Sequence, residues 1–230
     1  MKTIGLLGGM SWESTLGYYR SINQGIKNAL GGLHSAEIVL YSLDFDPIEK
    51  MLSLGDWDGL AESLSMAAES VEAAGADFML LCTNTMHMIA DQIEDNLEIP
   101  LLHIADATAE SLGDQGIERV GLLGTAFTME QEFYRQRLQD MHGIETLIPD
   151  MEERRFVHDV IFQELCLGTV NAASKGQYLQ IIQRLAEKGA QGVILGCTEI
   201  GLLVQQQDTR VRLFDTTAIH AEKAVDYALT

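Results

Sequence analysis

The chain has 230 residues, a formal net charge of −19 and an apolar content of 47%. That apolar content is enough for a sizeable buried core, and the length suits one large domain or two lobes. The negative charge argues against nucleic acid and anionic membranes as partners, because both would be repelled. No apolar run reaches the roughly 18 residues that a membrane span requires.

The first residues, MKTIGLLGGMSWEST, contain one lysine, a short apolar run and no small-residue cleavage site. This pattern predicts a first strand and not an export signal. The 3 cysteines are an odd number. In a chain without an export signal they predict free thiols and a cytoplasmic location.

Short apolar segments alternate with longer amphipathic segments along the chain. The predicted strands are TIGLLGG from Thr3, EIVLYSLD from Glu37, DFMLLCTN from Asp77, PLLHIAD from Pro100, RVGLLGT from Arg119, ETLIPD from Glu145, GVILGCTE from Gly192 and VRLFDTT from Val211. Several are apolar without alternation, which is typical of strands covered on both faces of a parallel sheet. Alternating strands and helices predict an α/β fold with right-handed crossovers.

The segments between the strands predict amphipathic helices. In the first of them, apolar residues recur at helical spacing and are expected to face the core: Leu16, Tyr19, Ile22, Ile26 and Leu30. Two further helices are expected to begin at capping boxes, formed by Thr128 with Gln131 and by Asp150 with Glu153.

Two motifs occur twice and in the same order. GLLG is found at Gly5–Gly8 and again at Gly121–Gly124. AGADFMLLCTNT, from Ala74, aligns with KGAQGVILGCTE, from Lys188. The repetition indicates two similar lobes.

This alignment pairs Thr83 with Cys197 and Cys82 with Gly196. Successive side chains of a strand point to opposite sides. We therefore expect Cys82 to pack in the interior as a small apolar residue, while Thr83 and Cys197 face a ligand.

In open α/β sheets, ligands bind beyond the carboxyl ends of the strands. Four polar clusters are expected at such ends: Gly8-Gly9-Met10-Ser11, Thr83-Asn84-Thr85, Thr125 with Thr128, and Cys197-Thr198-Glu199. If two similar lobes face each other, all four clusters could line one cleft.

Cys197 is the residue in these clusters with the most reactive side chain. Helix N-termini and backbone N–H groups near a strand end favour the thiolate, which can act as a base or a nucleophile. The alternative is a buried structural thiol. Cys166 is interpreted as a core cysteine on a helix, and His87 as a structural histidine that could orient the Thr83 cluster.

Other sequence signals are missing. GLLGG is neither a dinucleotide-binding fingerprint nor a P-loop. The 6 histidines are scattered, without the Cys/His spacing of a metal site. No cofactor and no metal are therefore expected.

The sequence resembles the aspartate/glutamate racemase family, isomerases that make no use of pyridoxal phosphate. Five ordered motifs carry the resemblance: TIGLLGGMSWEST, CTNTMH, VGLLGT, GCTEIGLL and DTTAIHA. The resemblance implies two flavodoxin-like lobes with parallel sheets, related by pseudo-twofold symmetry, with the active site in the cleft between them. The expected lobes are residues 1–113, completed by 214–230, and residues 114–213.

In this family two cysteines face the α-carbon of an amino acid from opposite sides, one removing the α-proton and the other returning a proton. The resemblance implies that Cys197 addresses the L-substrate. Its partner lies in a Cys-Asn-Thr-x-His motif, where this chain has Thr83 in place of the cysteine. A small amino-acid substrate, no cofactor and a homodimer are also implied.

The threonine predicts an asymmetric enzyme. A thiol can be a base near neutral pH, whereas a hydroxyl needs strong activation. Thr83 could still reprotonate a carbanion, directly or through water. The enzyme is therefore expected to start readily from the L-amino acid and poorly from the D-form, an asymmetry of rates and not of equilibrium.

The resemblance also implies a set of substrate-binding residues. The α-carboxylate and α-ammonium groups are expected to be held by Asn84, Thr85, Thr125, Thr128 and Thr198, with Met10 shaping a wall. Glu199 either binds the ammonium or supports Cys197. Where some members hold the side-chain carboxylate with an arginine and a lysine, this chain offers Lys50 and Glu164, which favours a range broader than aspartate and glutamate.

Two alternatives remain open at this point. A decarboxylase or isomerase of the same superfamily would need only the C-terminal cysteine. A non-catalytic amino-acid binding module would have lost turnover with its first cysteine, although such a module has no need of a thiol at Cys197.

Overall fold

The computed structural model describes residues 1–230. The chain divides into two compact units, unit 1 (Met1–Ile104 with His220–Thr230) and unit 2 (Ala105–Ile219). Each unit contains a parallel sheet and helices, which confirms the α/β class. No helix combines the length and the apolar character needed to cross a membrane.

Unit 1 is built from alternating strands and helices, as its sequence predicts. The elements are β1 (Ile4–Gly8), α1 (Trp12–Leu30), β2 (Ile38–Ser42), α2 (Phe45–Leu54), α3 (Trp57–Ala73), β3 (Phe78–Leu81), a 3-10 helix (Thr85–Ile89) and α4 (Ala90–Glu94).

Unit 2 repeats this alternation. The elements are α5 (Ile104–Asp114), β4 (Arg119–Gly124), α6 (Ala126–Glu130), α7 (Glu132–His142), β5 (Glu145–Leu147), α8 (Met151–Gln163), a 3-10 helix (Leu165–Leu167), α9 (Ala172–Glu187), β6 (Val193–Gly196), α10 (Ile200–Leu203), a 3-10 helix (Gln206–Asp208), β7 (Leu213–Asp215) and α11 (Thr216–Leu229). The last ten residues of α11 belong to unit 1.

Both sheets have the same strand order. In unit 1 the order is β2-β1-β3, and in unit 2 it is β5-β4-β6-β7, with all neighbours parallel. Counted within each unit, the sequence of strands begins 2-1-3, which is the order of flavodoxin-like folds. Each sheet therefore places the ends of its first and third strands side by side.

The register shows that the sequence repeat is also a structural repeat. Leu7 pairs with Leu81 in unit 1, and Leu123 pairs with Leu195 in unit 2. Continuing by two residues from Leu81 and from Leu195 leads to Thr83 and to Cys197. The two residues therefore occupy equivalent positions, each just beyond the carboxyl end of its central strand pair.

One predicted strand is largely absent. The segment from Pro100 forms a single parallel bridge, between Met79 and Leu101, and helix α5 begins at Ile104. The prediction was wrong for the rest of the segment because a short apolar run does not distinguish a strand from the start of a buried helix.

The buried face of α1 also differs from the prediction. Ile22 and Ile26 are buried, but Leu16 and Tyr19 are about half exposed, at 49% and 48%. Tyr18 is buried instead. The polar residues Ser14 and Thr15 complete the buried face, which a search for apolar periodicity alone does not detect.

The two predicted capping boxes have different outcomes. The box at Asp150 and Glu153 is confirmed and begins α8. The other is wrong, because Thr125, and not Thr128, caps α6, while Gln131 begins α7 without a side-chain cap.

A buried histidine lies in the core of unit 1. Nε2 of His220 is 2.8 Å from the carbonyl oxygen of Leu102 and Nδ1 is 2.9 Å from the Tyr18 hydroxyl. Since a carbonyl only accepts, Nε2–H donates to Leu102, and Nδ1 accepts from Tyr18. Burial lowers the pKa of His220 from 6.5 to about 4.

This shift predicts a loss of stability in acid. The unfolded chain takes up a proton at His220 near pH 6.5, whereas the folded protein takes it up only near pH 4. Stability from this group is therefore complete above pH 6.5 and falls by about 3 kcal/mol between pH 7 and pH 4. We expect urea unfolding of His220→Gln to lack this part of the acid dependence. The matched control is His34→Gln, at an exposed position, and its free energy of unfolding should depend on pH as in the wild type. If the free energy of unfolding of His220→Gln also falls in acid as in the wild type, His220 is not the source of the loss.

Candidate active site

The loop after β1 is fixed by close backbone packing. Gly9 has a φ of 91°, and a Cβ at this position would lie 2.3 Å from the carbonyl oxygen of Leu43. Only glycine fits both the positive φ and the close approach. The Gly9 N–H donates to the Thr15 hydroxyl at 2.8 Å. Met10, the next residue, is buried.

A histidine fixes the backbone at Thr83. The Ile104 N–H donates to Nε2 of His87 at 3.2 Å, so this nitrogen carries no proton. Nδ1 therefore carries the proton and donates to the Thr83 carbonyl at 2.7 Å. His87 is thus a neutral imidazole that ties the end of β3 to the start of α5. It is structural, as expected, and it also positions Thr83.

The other residues around Thr83 are buried as well. Thr83, Asn84 and Thr85 are all buried, with at most 7% of their surface exposed. Cys82 is fully buried in the core cluster of unit 1. Burial raises the pKa of its thiol, so the prediction of a packing cysteine is confirmed.

Two threonines of unit 2 lie at the end of β4. Gly124 pairs with Gly196, so Thr125 and Cys197 follow neighbouring strand ends. The Thr125 hydroxyl accepts from the Thr128 N–H at 3.3 Å and lies 3.2 Å from the Thr128 hydroxyl. Thr125 and Thr128 are buried.

Cys197, Thr198 and Glu199 form a buried hydrogen-bonded group. The Cys197 thiol donates to Oε2 of Glu199 at 2.9 Å, and the Thr198 hydroxyl donates to the same oxygen at 2.8 Å. Glu199 is only 2% exposed. A carboxylate oxygen with a thiol at 2.9 Å is placed to accept a proton from it.

The environment of Cys197 favours the thiol. Burial raises the pKa of Cys197 well above its ordinary value, and the neighbouring charge of Glu199 raises it further. The expectation that helix N-termini favour the thiolate was therefore wrong. The reason is that the thiol is buried, and that the Glu199 carboxylate accepts a hydrogen bond from it at 2.9 Å, so a thiolate would be desolvated beside a negative charge.

Glu164 lies at the end of α8 and is partly buried. Cys166 follows it in a 3-10 helix and is only partly buried. The expectation of a helical position is therefore confirmed, whereas the expectation of a core position was wrong. No group of three or more His, Cys, Asp or Glu side chains is placed to hold a metal ion.

The structure brings the predicted residues together within each unit. Met10 and the Thr83–Thr85 cluster follow adjacent strands of unit 1, and Thr125 and the Cys197–Glu199 cluster follow adjacent strands of unit 2. Lys50 is different, because it is exposed and paired with Asp46 at 2.6 Å. The sequence missed Tyr178, a buried residue of α9 whose neighbours come from distant parts of unit 2.

Residues 7–224 match the sequence profile of the Asp/Glu/Hydantoin racemase family. The chain belongs to this family. Its resemblance to the aspartate/glutamate racemases is thereby confirmed, and with it the enzyme class of an isomerase. The chain is also similar to the broad specificity amino-acid racemase RacX of Bacillus subtilis (strain 168), with 23% identity over 232 residues, 96% of each chain.

Solved structures of racemases have the same fold. A Yersinia pestis protein assigned as an Asp/Glu racemase is 56% identical, with a TM-score of 0.93 and full coverage of both chains. An aspartate racemase homologue from Pyrococcus horikoshii OT3 is 33% identical, with a TM-score of 0.86 and full coverage. These similarities confirm the racemase fold with two parallel sheets.

Proposed function

We propose that this racemase interconverts the enantiomers of amino acids without a cofactor, acting on aspartate, glutamate or a broader set. Cys197 removes the α-proton of the L-substrate, and Thr83 returns a proton to the opposite face. The observation that carries the proposal is the hydrogen bond from the Cys197 thiol to the buried Glu199 carboxylate.

Glu199 gives Cys197 a route to the thiolate. The thiol proton already points at Oε2, so its transfer requires no rearrangement of heavy atoms. The substrate ammonium would offset the negative charge that raises the pKa of Cys197, and it would therefore favour the thiolate only when a substrate is bound. We therefore propose both roles for Glu199: its carboxylate supports Cys197 and faces the substrate ammonium.

The neighbouring hydroxyl and amide groups supply the remaining contacts. Removing the α-proton of an amino acid places negative charge on the α-carboxylate, and hydrogen-bond donors stabilise that charge. We assign this binding to polar side chains that follow strand ends: Asn84, Thr85, Thr125, Thr128 and Thr198. Met10 contributes an apolar wall.

The pair of a cysteine and a threonine predicts a specific isotopic result. Cys197 can remove and return a proton on the L-face without inversion, so in D₂O the L-substrate exchanges its α-proton with retention. Transfer from Thr83 is slower because its hydroxyl is a poor acid and a poor base. Exchange from the L-form should therefore be faster than inversion, and exchange from the D-form should be slow.

Proton NMR in D₂O tests this function directly. L- and D-forms of aspartate, glutamate and a wider panel of amino acids are incubated separately with the enzyme, and the α-proton signal is followed together with chiral analysis. We expect loss of the α-proton from at least one L-amino acid, faster than from its D-form. Equal rates of exchange from both forms would contradict the asymmetry. An enzyme that exchanges no amino acid of the panel would instead be a binding module or a decarboxylase.

A further inference from the structure

The two carboxylate oxygens of Glu164 differ in their hydrogen bonding. Oε1 accepts from the Ser174 hydroxyl at 2.9 Å, with the Asn171 side-chain amide at 3.5 Å. Oε2 is buried and has no hydrogen-bond partner. The side chain is thus held in place by one oxygen while the other lacks a donor.

The position of Glu164 links it to Cys197. The 3-10 helix Leu165–Leu167 follows Glu164 directly and packs against α10, which begins just after Glu199. The end of α8 and the Cys197 cluster therefore belong to the same corner of unit 2.

Tyr178 lies within electrostatic range of both groups. Its hydroxyl donates to the Val157 carbonyl at 2.9 Å and so is not a donor to Glu164. Burial raises the pKa of Tyr178 well above its ordinary value. A negative charge on Cys197 or on Glu164 would raise the pKa of Tyr178 further, so both groups act on the same phenol.

An unpaired buried carboxylate oxygen is costly. Buried polar atoms in native proteins nearly always have a partner, and an unsatisfied charged group is the most expensive exception. No cation of the protein pairs with Glu164, since the cations nearest to it in sequence pair elsewhere: Arg154 with Glu130, Arg155 with Asp159 and Lys175 with Asp208. A donor supplied by a bound ligand would remove the penalty.

We propose that Glu164 determines substrate specificity, accepting a hydrogen bond at Oε2 from an amino-acid side chain that ends in a donor. Hydroxyl, amide and ammonium groups share this chemistry. A side-chain carboxylate does not, because it would bring a second negative charge to an oxygen that already lacks a donor. The inference rests on the proposed function and narrows its substrate class away from aspartate and glutamate.

The position of Lys50 is consistent with this preference. A site for acidic side chains needs a cation, and Lys50 was the sequence candidate. Its ammonium instead pairs with Asp46 four residues earlier, and both side chains are exposed, at 67% and 69%. Lys50 is therefore a surface residue of α2.

The test compares two isosteric substrates. L-glutamine and L-glutamate have the same shape and differ at one terminal group, so the ratio of their α-proton exchange rates in D₂O measures recognition of that group. We expect glutamine to exchange about tenfold to a hundredfold faster in kcat/KM, the effect of one hydrogen bond to a charged group. L-ornithine is tested as a third substrate because its side chain ends in an ammonium group. Comparing its exchange rate with that of glutamine separates a preference for cations from a preference for any hydrogen-bond donor.

Variants assign the preference to Glu164. Glu164→Gln keeps the volume and removes the charge, and it should bring the glutamine-to-glutamate ratio close to one, mainly through faster glutamate exchange. Glu152→Gln is the matched control, because it makes the same change at an exposed position of the same helix. The control should keep the wild-type ratio.

The outcomes distinguish this inference from the function on which it rests. If the wild type exchanges glutamine no faster than glutamate, the inference is overturned and the proposed racemase function is kept. This result needs only the wild type, so it holds even if Glu164→Gln does not fold. A high ratio that Glu164→Gln preserves also overturns it. Absence of exchange from every amino acid overturns the proposed function, and the inference with it.

Discussion

Cys197→Ser is expected to abolish most of the α-proton exchange from L-amino acids. The substitution changes one atom, so the buried position and the contact with Glu199 remain available. The serine hydroxyl has a far higher pKa than a thiol, and it cannot take a proton from the α-carbon at neutral pH. Loss of a positioned base costs about 10²- to 10⁴-fold in rate. NMR in D₂O measures the loss, and urea unfolding checks that the fold is kept.

The control for this prediction is Cys166→Ser. It makes the same one-atom change in the same unit, at a cysteine that has no part in the proposed proton transfer. We expect Cys166→Ser to retain exchange within a few-fold of the wild type. Full exchange in Cys197→Ser, with a stable fold, would remove Cys197 from the mechanism.

Much of the fold could be predicted from the sequence because it depends on local pattern. The strands β1, β3, β4 and β6 are continuous apolar runs, and each was found close to its predicted position. The errors arose where pattern is ambiguous. The segment from Pro100 is short, and the buried face of α1 includes Ser14 and Thr15, which have no apolar signal.

The candidate site was predictable for a different reason. The internal repeat paired Thr83 with Cys197, and the register of the two sheets places them equivalently. The state of Cys197 was not predictable. Its pKa depends on burial and on the rotamer of Glu199, and both are set by packing that a linear pattern does not encode. The surroundings of Glu164 are also set by tertiary packing and could not be predicted from the sequence.

Thr83→Cys is expected to give the enzyme a second competent base. A thiol has an ordinary pKa near 8.5 and the threonine hydroxyl a much higher one, so exchange from D-amino acids should rise by about 10²-fold. The backbone there is held by His87 through the Thr83 carbonyl. The substitution leaves that bond unchanged and places the thiol at the equivalent of Cys197. NMR in D₂O with D-substrates measures the gain.

The expected gain obeys the symmetry of racemisation. The equilibrium constant between enantiomers is one, so kcat/KM for conversion is the same in both directions in any variant. Thr83→Cys must therefore raise L-to-D and D-to-L conversion equally, whereas isotopic exchange with retention can rise on the D-face alone. Thr83→Ser, which keeps a hydroxyl and adds no thiol, should show neither change. If Thr83→Cys folds and D-exchange stays at the wild-type rate, residue 83 does not face the α-carbon, and the proton for the D-face comes from another group.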